Sequence, residues 1–203
     1  MTELRRACII RHTMVRAIIF DLYGVLGLNG WQDFKQLHFH GRWDLWEPLR
    51  VLGQKVDAGE ASDAEFAAAI AAATGETTAT VRYQFEHTQA NVELLEFIKN
   101  NLSETFKIGL LSNASSDVLP GIFTPEQQGL FDATVMSVFV GLAKPDPTMF
   151  TLMCQKLGVD PTECLMVDDQ QRHLDIAAAM GMQTVLYGSL EQTKHDVLEA
   201  LAE

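Results

Sequence analysis

The stretch that decides the fold runs from Val15 to Leu26 and reads VRAIIFDLYGVL. It begins with a short, β-branched apolar run, the pattern of a strand that is buried on both faces of a parallel sheet. Asp21 stands at the end of this run, and Gly24 follows it as a residue typical of loops. The sequence therefore predicts a buried strand whose carboxyl end presents a carboxylate.

Four later segments have the same strand-like character, and helical patterns lie between them. The predicted strands are 107–112 (KIGLLS), 134–138 (TVMSV), 164–168 (CLMVD) and 184–187 (TVLY). Asn91 and Asp146 are candidate N-caps, Gly181 is a candidate helix stop, and a last amphipathic helix is expected over 190–202. Strands that alternate with helices predict an α/β fold with a doubly wound, Rossmann-like parallel sheet.

Residues 31–87 interrupt this alternation, because they contain helical patterns and no convincing strand. Ser62 and Glu65 form a capping box ahead of the run FAAAIAAAT. Trp43 and Trp46 recur at near-helical spacing, and we expect both to pack in the core of this segment. The segment is thus expected to form a small α-helical cap over the strand ends, where open α/β sheets bind ligands.

The predicted organisation of the chain has three parts. A Rossmann-like core is expected over 15–30 and 90–203, a helical cap over 31–89, and a loosely ordered leader over 1–14. The leader carries three arginines but lacks the long apolar stretch of a secretory signal.

The overall charge argues against several kinds of partner. The 203 residues carry a formal net charge of −12 and contain no long basic run. We expect no nucleic-acid partner and no membrane partner, since anionic surfaces of both kinds need clustered lysine and arginine. No apolar run reaches the ~18 residues of a membrane span, and three cysteines without metal-ligand spacing fit a reducing compartment. A cytoplasmic protein that is a monomer or a weak homodimer is expected.

Chemically useful side chains follow four of the predicted strands. In chain order they are Asp21, the pair Ser112 and Asn113, Lys144, and the pair Asp168 and Asp169. Because ligands bind outside the carboxyl ends of parallel strands, these side chains are expected to meet in one cleft. Each of these residues alone is a weak signal, and their order and placement at strand ends make a shared site the favoured interpretation.

The motifs FDLYGVL, LLSNAS, KPDP and VDD, in this order, resemble those of the haloacid dehalogenase-like (HAD) hydrolase superfamily. The branch resembled is the one with a helical cap after the first motif (C1, subfamily IA-like), and the resemblance covers 15–190. It implies a hydrolase in which Asp21 is the nucleophile, with Ser112 and Lys144 as further catalytic residues. Ser112, Asn113 and Lys144 would hold the oxygens of the phosphoryl group.

The acidic residues of these motifs form a candidate Mg²⁺ site, since Mg²⁺ prefers oxygen ligands. Asp21 and Asp169 can supply carboxylates, and the main-chain carbonyl of Tyr23 can supply a third ligand. Asp168 either binds the ion or orients the groups that do. Mg²⁺ is therefore the expected cofactor.

Tyr23 departs from the phosphatase pattern of the superfamily, which has there a second aspartate that protonates the leaving group. Tyrosine, with a pKa of about 10, is a poor general base near neutral pH. The 2-haloacid dehalogenases of the superfamily do have tyrosine there and need no metal, but their pattern lacks the acidic pair of Asp168 and Asp169. A Mg²⁺-dependent phosphatase that forms an aspartyl phosphate is favoured. The alternatives are a dehalogenase with an ester intermediate on Asp21 and a catalytically weak binding or regulatory relative.

The substrate is expected to be a small phosphorylated metabolite, with sugar phosphates as candidates. The segment DAGEASDAEFAAAI resembles the cap of small sugar-phosphate phosphatases. Gly27–Trp31 and Phe39–Trp43 are the candidate specificity segments. His173 is expected to face solvent in the first turn of a helix. The alternatives are that it orients the acidic pair or acts as a substitute acid or base.

Overall fold

The structure is a computed structural model that describes residues 14–57, 59–114 and 116–202. Residues 1–13 of the expected leader lie outside the described residues. In chain order the strands are β1 (Ala17–Phe20), β2 (Gly27–Leu28), β3 (Gln89–Ala90), β4 (Lys107–Ser112), β5 (Ala133–Met136), β6 (Cys164–Asp168) and β7 (Gln183–Leu186). Five of them form a parallel sheet in the order β5-β4-β1-β6-β7. This architecture confirms the predicted α/β class.

β1 is the central strand of this sheet, and all of its residues are buried. Its side chains alternate between two core clusters, with Ile18 and Phe20 on one face and Ala17 and Ile19 on the other. Such double burial is what a continuous apolar run predicts. Because β1 pairs in parallel with both β4 and β6, the carboxyl ends of the three strands meet at one edge, where Asp21 follows β1.

The chain between β2 and β3 forms the helical insertion that the sequence predicts. Its helices are α1 (Trp31–Phe39), α2 (Trp43–Asp57), α3 (Asp63–Thr74) and α4 (Thr78–Glu86). The capping box of Ser62 and Glu65 at the start of α3 is confirmed. Phe34, Leu49 and Ile70 are buried in a separate apolar cluster of the insertion. The exact division of the chain into core and cap stays a prediction.

Two features of the insertion differ from expectation. β2 and β3 form a short antiparallel ribbon where the chain leaves and re-enters the core. The sequence does not predict this ribbon, because strands of two residues have no periodicity. Trp43 was expected in the core but is 63% exposed, since α2 turns it away from the apolar cluster that Trp46 joins.

The remaining helices cover both faces of the sheet. They are α5 (Val92–Phe97), which continues as a π-helical turn to Leu102, α6 (Leu119–Ile122), α7 (Pro125–Gln128), α8 (Ser137–Val140), α9 (Pro147–Leu157), α10 (Gln171–Ala179) and α11 (Leu190–Ala202), with a 3₁₀ turn at Pro161–Glu163. Asn91 and Asp146 cap α5 and α9 as predicted. α9 and α10 pack on one face, and α5 and α11 on the other. Within the described ranges, every helix is too short or too polar to cross a bilayer.

Phe150 on α9 tests this packing, because it is fully buried against the sheet. Phe150→Ala is expected to lower the free energy of unfolding by about 3–5 kcal/mol, since it leaves a cavity. Phe139→Ala at the end of α8 is the matched control, because Phe139 is 65% exposed and should matter by less than about 0.5 kcal/mol. Urea unfolding followed by circular dichroism measures both changes. Equal effects of the two substitutions would contradict the packing described.

Candidate active site

Asp21, Lys144 and Asp168 meet at the carboxyl edge of the sheet. Asp21 follows β1, Asp168 ends β6, and Lys144 lies in the loop between α8 and α9. The Lys144 ammonium donates hydrogen bonds of 2.7 Å to Asp21 Oδ1 and 2.7 Å to Asp168 Oδ2. No more than 6% of any of the three side chains is exposed. These are therefore buried ion pairs, in which good geometry must offset the lost hydration.

Asp169 completes a group of three carboxylates. One oxygen from each of Asp21, Asp168 and Asp169 lies within 4.8 Å of the others. Asp169 Oδ2 accepts a hydrogen bond of 2.5 Å from Gln32 Nε2 of α1. Asp169 Oδ1 is buried and has no hydrogen-bond partner among the described residues. Since buried polar atoms are almost always partnered, a cation that prefers oxygen ligands fits this position.

The three carboxylates differ in pKa because they share one buried site. Burial raises the pKa of Asp21 to about 8; Lys144 opposes this, whereas Asp168 and Asp169 add to it. Burial and the charge of Asp168 likewise raise the pKa of Asp169. Burial also opposes the ionisation of Asp168, but Lys144 and His173 outweigh it and bring the pKa of Asp168 to about 2. An ionised Asp21 at neutral pH therefore needs positive charge beyond that of Lys144.

Asn113 holds the main chain of Lys144 in place. Its Nδ2 donates to the Lys144 carbonyl at 2.9 Å, and its Oδ1 accepts from the Lys144 main-chain N–H at 2.7 Å. These two bonds join the end of β4 to the loop that carries the lysine. Asn113 thus has a positioning role that the sequence does not predict, and it also lines the cavity described below.

Ser112 lies at the end of β4, in the position that the motif predicts. It is fully buried, and its hydroxyl donates a hydrogen bond of 3.3 Å to the carbonyl of Asn113. The described residues that line the cavity do not include it. Its contact with a phosphoryl group stays a prediction.

His173 corrects the expectation that it faces solvent. α10 begins at Gln171, which turns His173 inward in the first helical turn and leaves it 1% exposed. Its Nδ1 lies 3.0 Å from both carboxylate oxygens of Asp168. Burial lowers the pKa of His173, and the hydrogen bond with Asp168 opposes that effect. This contact fits the alternative, in which His173 orients the acidic pair, and that role stays a prediction.

The loop after β1 passes close to Asp169. Gly24 has a φ of +85°, and a Cβ at this position would lie 2.7 Å from Asp169 Oδ2. Glycine is required here both for its conformation and for the close approach. Tyr23, beside it, packs against the core and lines the cavity. That its main-chain carbonyl binds a metal stays a prediction.

A cavity of about 870 Å³ opens above these groups and extends between the core and the insertion. Its lining includes Asp21, Lys144 and Asp169. In the two candidate specificity segments, Asn29 and Trp31 line the cavity, whereas 39–43 contribute nothing to the described lining. The second segment is therefore not placed at the site, because the end of α1 leads away from it.

The sequence does not predict three cationic residues that line this cavity, Lys35, Arg50 and Arg172. Lys35 could have been found, since it lies one helical turn after Trp31 on α1 and shares a helix face with it. Arg50 and Arg172 carry no comparable signal, because α2 and α10 are brought together only by tertiary packing.

Curated relatives match parts of the chain. Phosphatase MT3486 of Mycobacterium tuberculosis (strain CDC 1551 / Oshkosh) is 32% identical over 98 residues, covering 47% of this chain and 45% of that protein. Fructose-1-phosphate phosphatase YqaB of Escherichia coli (strain K12) is 40% identical over 55 residues, covering 27% and 29%. The chain thus spans less than half the length of these relatives.

Solved structures share the fold over most of the chain. The HAD family enzyme bt-2542 of Bacteroides thetaiotaomicron, in a magnesium complex, has a TM-score of 0.63 at 21% identity, covering 90% of this chain and 98% of that one. A crystal structure of a dehalogenase has a TM-score of 0.65 at 18% identity, covering 93% and 98%. Identities this low show the fold alone.

The family model of haloacid dehalogenase-like hydrolases matches residues 15–181. This range includes β1, the helical insertion and all the motif residues that meet at the carboxyl edge. The chain therefore belongs to the haloacid dehalogenase-like hydrolases, as the order of its motifs predicts.

Proposed function

We propose that this hydrolase is a Mg²⁺-dependent phosphatase that acts on a small phosphorylated metabolite through an aspartyl phosphate on Asp21. The observation that carries the proposal is the group of three carboxylates around one lysine, in which Asp169 Oδ1 is buried without a donor among the described residues. The Lys144 ammonium contacts two of these carboxylates, those of Asp21 and Asp168, and a divalent cation would add positive charge beside the third.

Asp21, Asp169 and the main-chain carbonyl of Tyr23 would hold this cation. Asp168 already accepts hydrogen bonds from Lys144 and from the main-chain N–H of Gln170, so orienting the lysine is a role that it performs without the metal. When bound, Mg²⁺ would reduce the repulsion between the nucleophile and an anionic phosphate and favour an ionised Asp21.

The proposed reaction consists of two displacements at phosphorus. An oxygen of Asp21 attacks first, so that its bond to phosphorus forms while the bond to the leaving alkoxide breaks and the alkoxide takes up a proton from solvent, to which the attacking water of the second step returns one. Water then attacks the same phosphorus, which releases inorganic phosphate and restores the carboxylate. Throughout, the charge of Lys144 stabilises the negative charge that develops beside Asp21.

A small substrate suits the cavity that the insertion covers. Its volume of about 870 Å³ lies within the range of small-molecule sites, and an insertion over the strand ends limits the access of larger molecules. YqaB, which matches part of the chain, is named as a fructose-1-phosphate phosphatase, so sugar phosphates remain the first compounds to test. A cytoplasmic location and a monomeric or weakly dimeric state stay predictions.

Tyr23 favours a second candidate function, the metal-independent hydrolysis of 2-haloacids. Expulsion of a halide needs no proton, so this reaction does not require the aspartate that Tyr23 replaces. Without a cation, however, the reaction would have to proceed beside Asp168 and Asp169, whose charges raise the pKa of the nucleophile. A catalytically weak relative that only binds its ligand is the third candidate, and it too is motivated by Tyr23.

Asp21→Asn is expected to abolish Mg²⁺-dependent release of phosphate from p-nitrophenyl phosphate, because an amide cannot form the acyl phosphate. Phosphate is measured with and without EDTA, and the parent protein should lose its activity in EDTA. The matched control is Asp175→Asn, which makes the same change on the exposed side of α10 and should retain the parent rate.

Phosphate release by Asp21→Asn would remove Asp21 as the nucleophile. Parallel assays with 2-chloropropionate separate the other candidates. Halide release that is insensitive to EDTA would overturn the phosphatase proposal, and no turnover of either substrate would favour the binding relative.

Asp169→Asn should weaken Mg²⁺ binding at least about tenfold, since it removes a charged ligand from the site. The measurement is the rise in melting temperature on addition of Mg²⁺, which requires no turnover. In EDTA the variant should melt no lower than the parent, because it loses one of three mutually repelling carboxylates. A Mg²⁺ response equal to that of the parent would exclude Asp169 as a ligand.

Tyr23→Asp should raise the phosphatase kcat by up to about 10²-fold, since it restores a proton donor for the leaving group. Tyr23→Phe removes only the hydroxyl and should not raise the rate. Steady-state kinetics with p-nitrophenyl phosphate in excess Mg²⁺ compare the two variants. An unchanged kcat in Tyr23→Asp would show that another group already transfers the proton.

A further inference from the structure

Three cationic side chains from three helices converge on the cavity above Asp21. Lys35 comes from α1, Arg50 from α2 and Arg172 from α10. We name this group the cationic wall. Like charges repel one another more strongly near a protein interior than in water. Their convergence in a chain of net charge −12 therefore calls for a physical reason.

Gln54 joins two of these cations. The side-chain amide of Gln54 is oriented so that its oxygen faces the two arginines. This oxygen accepts hydrogen bonds from Arg50 Nη1 at 2.9 Å and from Arg172 Nη1 at 2.6 Å. A single neutral oxygen thus holds two guanidinium groups side by side without neutralising either. Because Arg50 and Gln54 lie one turn apart on α2, this bridge also connects the insertion to α10 of the core.

The charges of the two arginines are balanced differently. Arg50 forms a bidentate ion pair with Glu47, with Nε 2.7 Å from Oε2 and Nη2 2.5 Å from Oε1. In the part of the chain that the structure describes, the Arg172 guanidinium donates to neutral amide oxygens, those of Gln54 and, at 2.9 Å, Gln170. Among these contacts, the charge of Arg172 therefore has no acidic partner. Arg50, which is paired with Glu47, helps to hold Arg172 in place through Gln54.

Lys35 connects the cationic wall to the carboxylates below it. Its ammonium lies 5.8 Å from the ring centroids of both Trp31 and Trp46, a distance at which aromatic faces attract a cation. Burial lowers the pKa of Lys35, the charge of Asp169 raises it, and the charge of Arg172 lowers it. Lys35 is thus within electrostatic reach of both the proposed metal ligand and Arg172.

Acidic side chains outside the catalytic group also line the cavity, namely Asp63, Glu86 and Asp117. Glu86 is engaged by Arg82 on the same helix, α4. Among the described residues, Arg172 and Lys35 form no ion pair with Glu86 or Asp117. Arg50 is paired with Glu47, so Arg172 and Lys35 are the members of the cationic wall that can meet an anion.

We propose that the cationic wall binds a second anionic group of the substrate, a carboxylate or a second phosphate, while the scissile phosphate lies over Asp21. The inference rests on the proposed phosphatase function and narrows its substrates to phosphorylated metabolites with two anionic groups. A guanidinium fork matches the paired oxygens of either group. Arg172 and Lys35 contact the second anion directly, whereas Arg50 and Gln54 position Arg172.

Binding to the Asp21→Asn protein tests this proposal without turnover. Isothermal titration in excess Mg²⁺ compares two pairs of probes, each of which differs by one anionic group. Glycerol 3-phosphate against 3-phosphoglycerate tests an added carboxylate, and fructose 1-phosphate against fructose 1,6-bisphosphate tests an added phosphate. The second anion should lower the Kd at least about tenfold in one pair or both, the range of a charge-assisted hydrogen bond, and the pair that responds identifies the group.

Arg172→Gln in the same background should remove this preference, because it deletes the charge that lacks an acidic partner. Arg16→Gln is the matched control. Arg16 precedes β1 and pairs with Glu163 at the amino ends of the strands, opposite the cavity, so the preference should survive. Lys35→Gln should weaken the preference as well, which provides a second variant if Arg172→Gln does not fold.

The outcomes separate this inference from the function on which it rests. If the parent hydrolyses p-nitrophenyl phosphate with Mg²⁺ but the paired probes bind equally, the inference alone is wrong. The inference would also be wrong if Arg172→Gln and Arg16→Gln reduced the preference for a second anion equally. The loss would then reflect the net charge of the protein and not a contact with Arg172. If no phosphate ester binds or is hydrolysed, the proposed function is wrong and the inference fails with it.

Discussion

The buried ammonium of Lys144 between Asp21 and Asp168 is the interaction on which the rest of the site depends. It joins the carboxyl ends of β1 and β6 to the loop before α9 through two hydrogen bonds of 2.7 Å. Yet the lysine offsets only part of the negative charge of three clustered carboxylates. Burial and the neighbouring carboxylates raise the pKa of Asp21, which opposes its ionisation. A divalent cation at the proposed site would act in the opposite direction and favour the ionised nucleophile.

The fold brings the carboxylates and the cations into one cavity from different elements. The parallel sheet delivers carboxylates to its edge, because the central strand and its neighbours end at the same level. The insertion contributes aromatic side chains and two of the three cations, and α10 contributes the third. Gln32 and Gln54 cross the boundary between the insertion and the core, the first to Asp169 and the second to Arg172. These two contacts tie the insertion to both the proposed metal site and the cationic wall.

The sequence predicts the elements of this fold well, because apolar periodicity and helix caps are local signals. It also predicts that Asp21, Asp168 and Asp169 meet, because parallel strands that end in polar residues bring those residues to one edge. Lys144 joins them as the motif order predicts, but from the loop between α8 and α9 rather than from a strand end. Side-chain direction is harder to predict. Trp43 and Trp46 have similar spacing to the other apolar residues of α2, but the rotation of the helix decides which one is buried. His173 turns inward because it contacts Asp168, which lies just before the helix. The apolar pattern of the helix does not predict this polar contact. The cationic wall is still harder to predict, since it combines side chains from three helices that only tertiary packing brings together.

Tyr23 and the cationic wall act on different parts of the free-energy profile. The general acid that Tyr23 replaces would act only in the transition state, so its loss lowers kcat by a factor typically of about 10²–10⁴. A second anion held by Arg172 and Lys35 lies away from the reacting bond and is bound in the ground state and the transition state alike. Such uniform binding lowers KM and selects among substrates, but it does not replace the missing rate. An enzyme with these two features would be slow and selective. Turnover of a generic ester therefore reports on the chemistry at Asp21, whereas the affinity gained from a second anionic group reports on substrate selection.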